Sequence, residues 1–258
     1  MSTAIGWTNE TWNPVTGCTK VSAGCKHCYA ERITERWGQK FTDIVLHPDR
    51  LEKPLHWRKP RRIFVNSMSD LFHEKVPFEF IDKVFAVMAL CPQHTFQVLT
   101  KRPERMAEYL SVRFPEDKPY LAVKFGTPSG HFRSIREYPI SNLWLGTSIE
   151  DQESADKRVP ELLKCPAAVR FLSYEPALGP VDLGDWLSLN PTDIGIDWVI
   201  VGGESGPGFR TMNLDWLRSV VGQCKAAGVP VFVKQASGLR PGQQGNIPDD
   251  LWALKESP

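Results

Sequence analysis

The chain has 258 residues, of which 41% are hydrophobic and 24% charged, with a formal net charge of +1. That length gives one large α/β domain or two small ones, and the composition is that of an ordinary globular protein. The near-zero charge excludes a global field directed at nucleic acid while leaving room for a local basic patch, and no apolar run approaches the roughly 20 residues of a membrane span.

The first residues, Met1 to Trp7, lack the charged-then-apolar pattern of a secretory signal, so a cytoplasmic protein is expected. Asn13 to Thr16 reads as a short first strand. It leads into a loop carrying Cys18, Cys25 and Cys28, followed by a helix from about Tyr29 to Trp37. Six nearly continuous apolar runs follow: Ile63 to Ser67, Thr95 to Thr100, Leu143 to Ser148, Val169 to Ser173, Trp198 to Gly203 and Val229 to Lys234. Continuous rather than alternating apolar strands are those of a parallel sheet buried on both faces.

Helical patterns separate these strands: Phe78 to Leu90 behind Pro77, Pro103 to Leu110, Asp151 to Leu163, and Asn213 to Ala227 ending at Gly228. The alternation predicts a full or partial TIM-type barrel in a single domain, with a doubly wound sheet as the alternative. Residues 114–138 read as an insertion between the third and fourth strands, a lid or substrate loop. Pro180 to Ile196 is irregular. Residues 238–258 read as a C-terminal extension with a short helix from Asp249 to Leu254.

In such a barrel the strand C-terminal ends converge on one cavity. They deliver Asn66, Ser67, Ser69 and Asp70; Thr100, Lys101 and Arg102; Thr147, Ser148 and Glu150; Ser173, Tyr174 and Glu175; Gly202, Gly203, Glu204 and Ser205; and Lys234 and Gln235. Any one of these is what an ordinary strand end shows. Together they outline a polar rim, in which Glu175 and Glu204 each follow an apolar strand, with Lys101 and Lys234 as their expected charge partners.

Of the six cysteines, Cys91, Cys165 and Cys224 sit in separate apolar stretches and read as buried hydrophobes; a reducing compartment makes disulfides unneeded. The clustered three admit several readings. A zinc site would need His27 as fourth ligand, strained between Cys25 and Cys28. A redox pair Cys25-Lys26-His27-Cys28 would leave Cys18 idle. Three incidental buried cysteines fit poorly among glycines and lysines. A 4Fe–4S cluster held by three thiolates would leave one iron open to a ligand.

The cysteine loop after the first strand of a parallel barrel resembles the radical S-adenosylmethionine (SAM) superfamily, although the gap between Cys18 and Cys25 is longer than its common one. Several segments also resemble the phage-associated "three-Cys-motif" family of bacteriophages and bacteria: Trp12 to Cys18, Arg61 to Phe72, Leu99 to Met106, Ser173 to Pro180 and Val199 to Pro207. The resemblance implies a radical SAM-type enzyme of unknown substrate. Cys18, Cys25 and Cys28 would ligate the cluster, and the amino-acid end of SAM would take the open iron. His27 would flank the adenine, and Ser67, Ser69 or Asp70 would hold the SAM amino group. Thr100, Lys101, Ser148 and Glu175 would line the ribose and carboxylate, with Lys101 favoured on the carboxylate and Arg102 as the other candidate. Gly202 and Gly203 would let backbone approach adenine, and Glu204 would stand nearer the substrate. Lys101, Glu175 and Glu204 are the expected catalytic residues. An electron from a reductant such as flavodoxin or ferredoxin would cleave SAM to a 5′-deoxyadenosyl radical, which would take a hydrogen atom from the substrate.

The stretch Lys53, His56, Trp57, Arg58, Lys59, Arg61 and Arg62, joined by Arg133 and Arg136, is ordinarily a solvated loop. With phage association it raises a nucleic acid or nucleoside as substrate. The non-enzymatic alternative is an iron–sulfur or zinc protein that binds nucleic acid or a partner protein.

Overall fold

The computed structural model describes residues 3, 5–115, 125–126, 132–133, 138–187 and 194–258. In chain order its elements are β1 (Glu10–Trp12), β2 (Val15–Thr16), α1 (Tyr29–Arg36), β3 (Val45–Leu46), β4 (Arg62–Val65), α2 (Phe78–Leu90), β5 (Thr95–Thr100) and α3 (Pro103–Arg113). Next come β6 (Phe125–Gly126), β7 (Phe132–Arg133), β8 (Leu143–Ile149), α4 (Gln152–Leu163), β9 (Val169–Tyr174), β10 (Trp198–Gly202), α5 (Leu214–Ala226), β11 (Val231–Gln235) and α6 (Asp249–Trp252).

Seven strands form one parallel sheet in the order β1-β4-β5-β8-β9-β10-β11. The order never reverses, which separates barrel winding from a doubly wound sheet, whose order turns back at a switch point. No described pairing joins β11 to β1. The sheet is therefore a curled, partial TIM-type barrel with helices alternating along its outside.

Both faces of the strands are buried, as their continuous apolar runs require. Phe64, Phe171, Trp198, Ile200 and Phe232 point to one side and close on Trp7, which arrives from the N-terminal segment. Gly146 makes room there: a Cβ on it would lie 2.6 Å from the Phe171 ring. The alternate residues, among them Ile63, Val65, Val98, Leu145, Leu172, Val199 and Val231, pack against helices α2 to α5 in the main core. No helix among the described residues is long and apolar enough to cross a membrane.

The first strand differs from the one expected. Glu10–Trp12 joins the sheet beside β4, while Val15–Thr16 pairs antiparallel with β3 outside it. Pro14 lies between them and has no N–H for a ladder; its carbonyl accepts from the His47 amide instead. Most of 114–138 lies outside the described residues, and with it the expected lid. Its described pieces, β6 and β7, form a small antiparallel ribbon beside α2. The C-terminal extension does more than cap the chain. Beyond α6, Phe232 bridges antiparallel to Lys255, and Leu254 and Glu256 exchange backbone hydrogen bonds with Val233 and Val231, covering the open edge of β11.

Candidate metal centre at the strand ends

The cysteine loop begins with a tight turn. Gly17 has φ +89°, and a Cβ there would lie 2.1 Å from the Asp43 carbonyl oxygen, so only glycine fits. The turn is tied to the sheet by a bridge between Gly17 and Ser69 and by the Cys18 amide donating to the Phe41 carbonyl. A single 3-10 turn, Ala23–Cys25, brings the chain round, and Cys28 caps the N-terminus of α1. Gly24 lies against Glu150: a Cβ on it would be 2.4 Å from Oε1.

The three thiols line one cavity of about 170 Å³ at the C-terminal ends of β4, β5 and β8. Of the residues expected at the site, Cys18, Cys25, Cys28, Ser67, Ser69, Asp70, Thr100, Lys101 and Ser148 line it; Asn66 and Arg102 line it too. Burial and the Asp70 carboxylate push the Cys18 thiol up to about 11, against the pull of Arg102; burial likewise raises Cys28. At neutral pH these are thiols, and a bound metal is what would make them thiolates. Among the described residues, no three His, Cys, Asp or Glu side chains converge on a single ion. The three cysteines nevertheless border the same cavity, and three thiolates are the donor set that a centre with one open position would use.

Several of the polar residues are already engaged within the protein. Asp70 is a hub: Oδ1 accepts from the Phe72 amide (3.0 Å) and the Thr100 hydroxyl (2.7 Å), and Oδ2 from the Lys101 amide (3.0 Å) and Arg102 (3.3 Å). Ser69 donates to the Val15 carbonyl and Ser67 to Asn13. Asn66 differs. It is 2% exposed and takes φ +61°, a left-handed conformation Asn tolerates, and neither its Oδ1 nor its Nδ2 has a partner. An unmet buried amide costs about 1–3 kcal/mol.

Lys101 pairs with Glu150 rather than with Glu175 or Glu204. Glu150, whose side chain is almost wholly buried, also accepts from Arg158 at 2.9 Å and from Ser22 in the cysteine loop at 2.8 Å. Burial alone would raise its carboxyl; the Lys101 and Arg158 charges outweigh burial and hold it below the usual carboxylate range.

The remaining expected residues lie outside the cavity wall. Glu175 is held by both Lys234, at 2.6 and 2.8 Å, and Gln235. Gly202 faces the Gln235, Glu175 and Lys234 side chains, and Gly203 packs on Ser237, whose amide would stand 2.4 Å from an added Cβ. Glu204 pairs with Arg210, which also donates to the Ala23 carbonyl at 3.0 Å. Burial raises the Glu204 carboxyl, but the Arg210 hydrogen bonds and charge prevail and hold it low. A Cβ on Gly208 would lie 3.2 Å from the His27 ring, and Arg32 donates to the Ser205 carbonyl, so the loop after β10 lies over the cysteine loop and α1.

The basic stretch is at the other end of the barrel, before β4 begins. There Lys53 and Arg61 lie over Trp57 at 5.5 and 5.2 Å, and Arg61 pairs with Glu10. Arg136 and the Arg133 side chain lie outside the described structure.

Together these features define a parallel partial barrel with a three-cysteine cavity at its strand C-termini. The chain belongs to the family described as "Protein of unknown function (DUF5131)", which matches residues 2–247. No curated protein matches it. A solved structure of a single-site mutant of spore photoproduct lyase is similar at 11% identity and a TM-score of 0.46, over 89% of this chain and 76% of that one. A likeness at that level says nothing about activity.

Proposed function

We propose that this protein is a radical SAM enzyme, with a 4Fe–4S cluster on Cys18, Cys25 and Cys28, related to the phage-associated three-Cys-motif proteins its segments resemble. The observation that carries the reading is the cavity at the strand C-termini that Cys18, Cys25 and Cys28 line together. A bound cluster and SAM would supply one-electron cleavage to a 5′-deoxyadenosyl radical, with the electron drawn from a flavodoxin- or ferredoxin-type reductant.

The chain's own residues bind and orient. Ser67, Ser69 and Asp70 line the same cavity and would hold the SAM amino group, each anchored by a hydrogen bond within the protein. Asn66, whose amide donors and acceptor meet no partner within the protein, stands in the same wall. Thr100 and Ser148 line the wall between β5 and β8, and Phe64 and Leu99 close its apolar floor. Lys101 acts at one remove, through Glu150, which holds the cysteine loop by Ser22. Glu175 with Lys234 and Glu204 with Arg210 form a charged outer rim where a substrate would enter. That rim suits a polar substrate such as a nucleoside or nucleic acid.

Anaerobic reconstitution tests the reading. Wild-type protein should bind about four irons per chain in a cluster of the three-thiolate kind. Cys18→Ala, Cys25→Ala and Cys28→Ala should each lose it. A colourless protein with one tightly bound zinc would contradict the reading.

A further inference from the structure

Beside Cys18, the Arg102 guanidinium is buried and fully constrained. Its side chain is 11% exposed. Each nitrogen of the guanidinium has a direction. Nη1 points at the Cys18 sulfur at 3.6 Å and at Asp70 at 3.3 Å. Nη2 donates to the Thr19 carbonyl at 3.2 Å and to the Thr19 hydroxyl at 2.8 Å. Nε lies 3.4 Å from Glu74. The backbone is fixed as well: the Arg102 amide donates to the Thr100 hydroxyl, and Pro103 opens α3 directly after it. A flexible lysine could not satisfy this fork; arginine's planar geometry can.

Two carboxylates and a buried cation set against one thiol are more than packing needs. From this geometry we infer that Arg102 is a positioning residue that donates a charge-assisted hydrogen bond to the Cys18 thiolate and raises the reduction potential of the cluster. The inference rests on the cluster reading above and deepens it. One-electron reduction adds a negative charge to the cluster and its thiolates. A fixed positive charge in hydrogen-bond contact with one of those sulfurs stabilises the reduced form more than the oxidised one. The buried Asp70 carboxylate opposes that charge, which Arg102 answers with both its charge and its hydrogen bond to the Cys18 sulfur. Glu74 is largely exposed, at 61%, so water screens it and its effect is the smaller. Cys25 and Cys28 have no guanidinium partner among the described contacts, so the effect is specific to the Cys18 corner.

The test is an anaerobic redox titration of the reconstituted protein without SAM, followed by the EPR signal of the reduced cluster. Arg102→Gln should keep its iron and show a potential more negative by at least about 59 mV, a tenfold fall in a one-electron equilibrium constant. Glu74→Gln, on the surface, should move the potential the other way, by less. Equal potentials in wild type and Arg102→Gln at equal iron content would overturn the inference. Should Arg102→Gln fail to hold iron, Glu74→Gln decides: a potential unchanged or more negative overturns it. A wild-type protein that builds no three-cysteine cluster would overturn the cluster reading itself, and this inference with it.

Discussion

Replacing Glu150 by alanine is the sharpest stability test of the site's architecture. The carboxylate side chain is 2% exposed and holds Arg158, itself 5% exposed, at 2.9 Å, with Lys101 and Ser22 on its other oxygen. Without it, Arg158 keeps, among the described residues, only the Ser148 carbonyl at 2.7 Å as partner for a buried charge. Breaking a buried pair from one side costs about 3–5 kcal/mol. In a chain of this size that corresponds to a melting temperature lower by on the order of 10 °C. Urea unfolding followed by tryptophan fluorescence measures it. Pairing the change with Arg158→Met should restore part of the loss, because no buried charge is then left alone. A loss below about 1 kcal/mol for Glu150→Ala would refute the reasoning. The pH dependence has a fixed sign. The folded carboxyl lies below its unfolded value of about 4.3, so its contribution is complete above that pH and fades as pH falls through the folded value. The gap in stability between wild type and Glu150→Gln should therefore narrow on acidification below about pH 4.

Three further outcomes follow from the same contacts. Asn66→Gly keeps the left-handed backbone and removes the unpartnered amide, so its unfolding free energy in urea should stay within about 1 kcal/mol of wild type; a larger loss would mean that the amide is satisfied in the folded protein. Gly203→Ala puts a Cβ 2.4 Å from the Ser237 backbone and should cost about 1–3 kcal/mol in urea unfolding; an unaffected protein would mean that this turn yields freely. Single changes of Cys91, Cys165 or Cys224 to alanine should leave iron content at the wild-type level, since all three are buried away from the cavity.

Much of the barrel is legible because its strands are buried on both faces. Val199 to Val201 and Val231 to Val233 are apolar at every position, and such runs have few other places to go. The first strand is harder to read because it is three residues long and begins with the buried, paired Glu10. At the site, the cysteine loop and the polar strand ends stand out by position alone. Which of those ends are already engaged does not. Ser67, Ser69 and Asp70 look as available as Asn66 in sequence, and only their partners, Asn13, Val15 and Thr100, distinguish them. Charge pairing is similarly opaque: Lys101 reaches Glu150 on the neighbouring strand's end, and Glu204 is met by Arg210 from a loop that carries no periodic signal.

If the three-cysteine cavity holds a cluster that cleaves SAM by a one-electron route, mass spectrometry of small molecules after incubating reconstituted protein with SAM and dithionite under strict anaerobiosis should show 5′-deoxyadenosine and methionine from the wild type and neither from Cys18→Ala. A wild-type protein that holds its cluster and binds SAM yet yields no 5′-deoxyadenosine would contradict this reading.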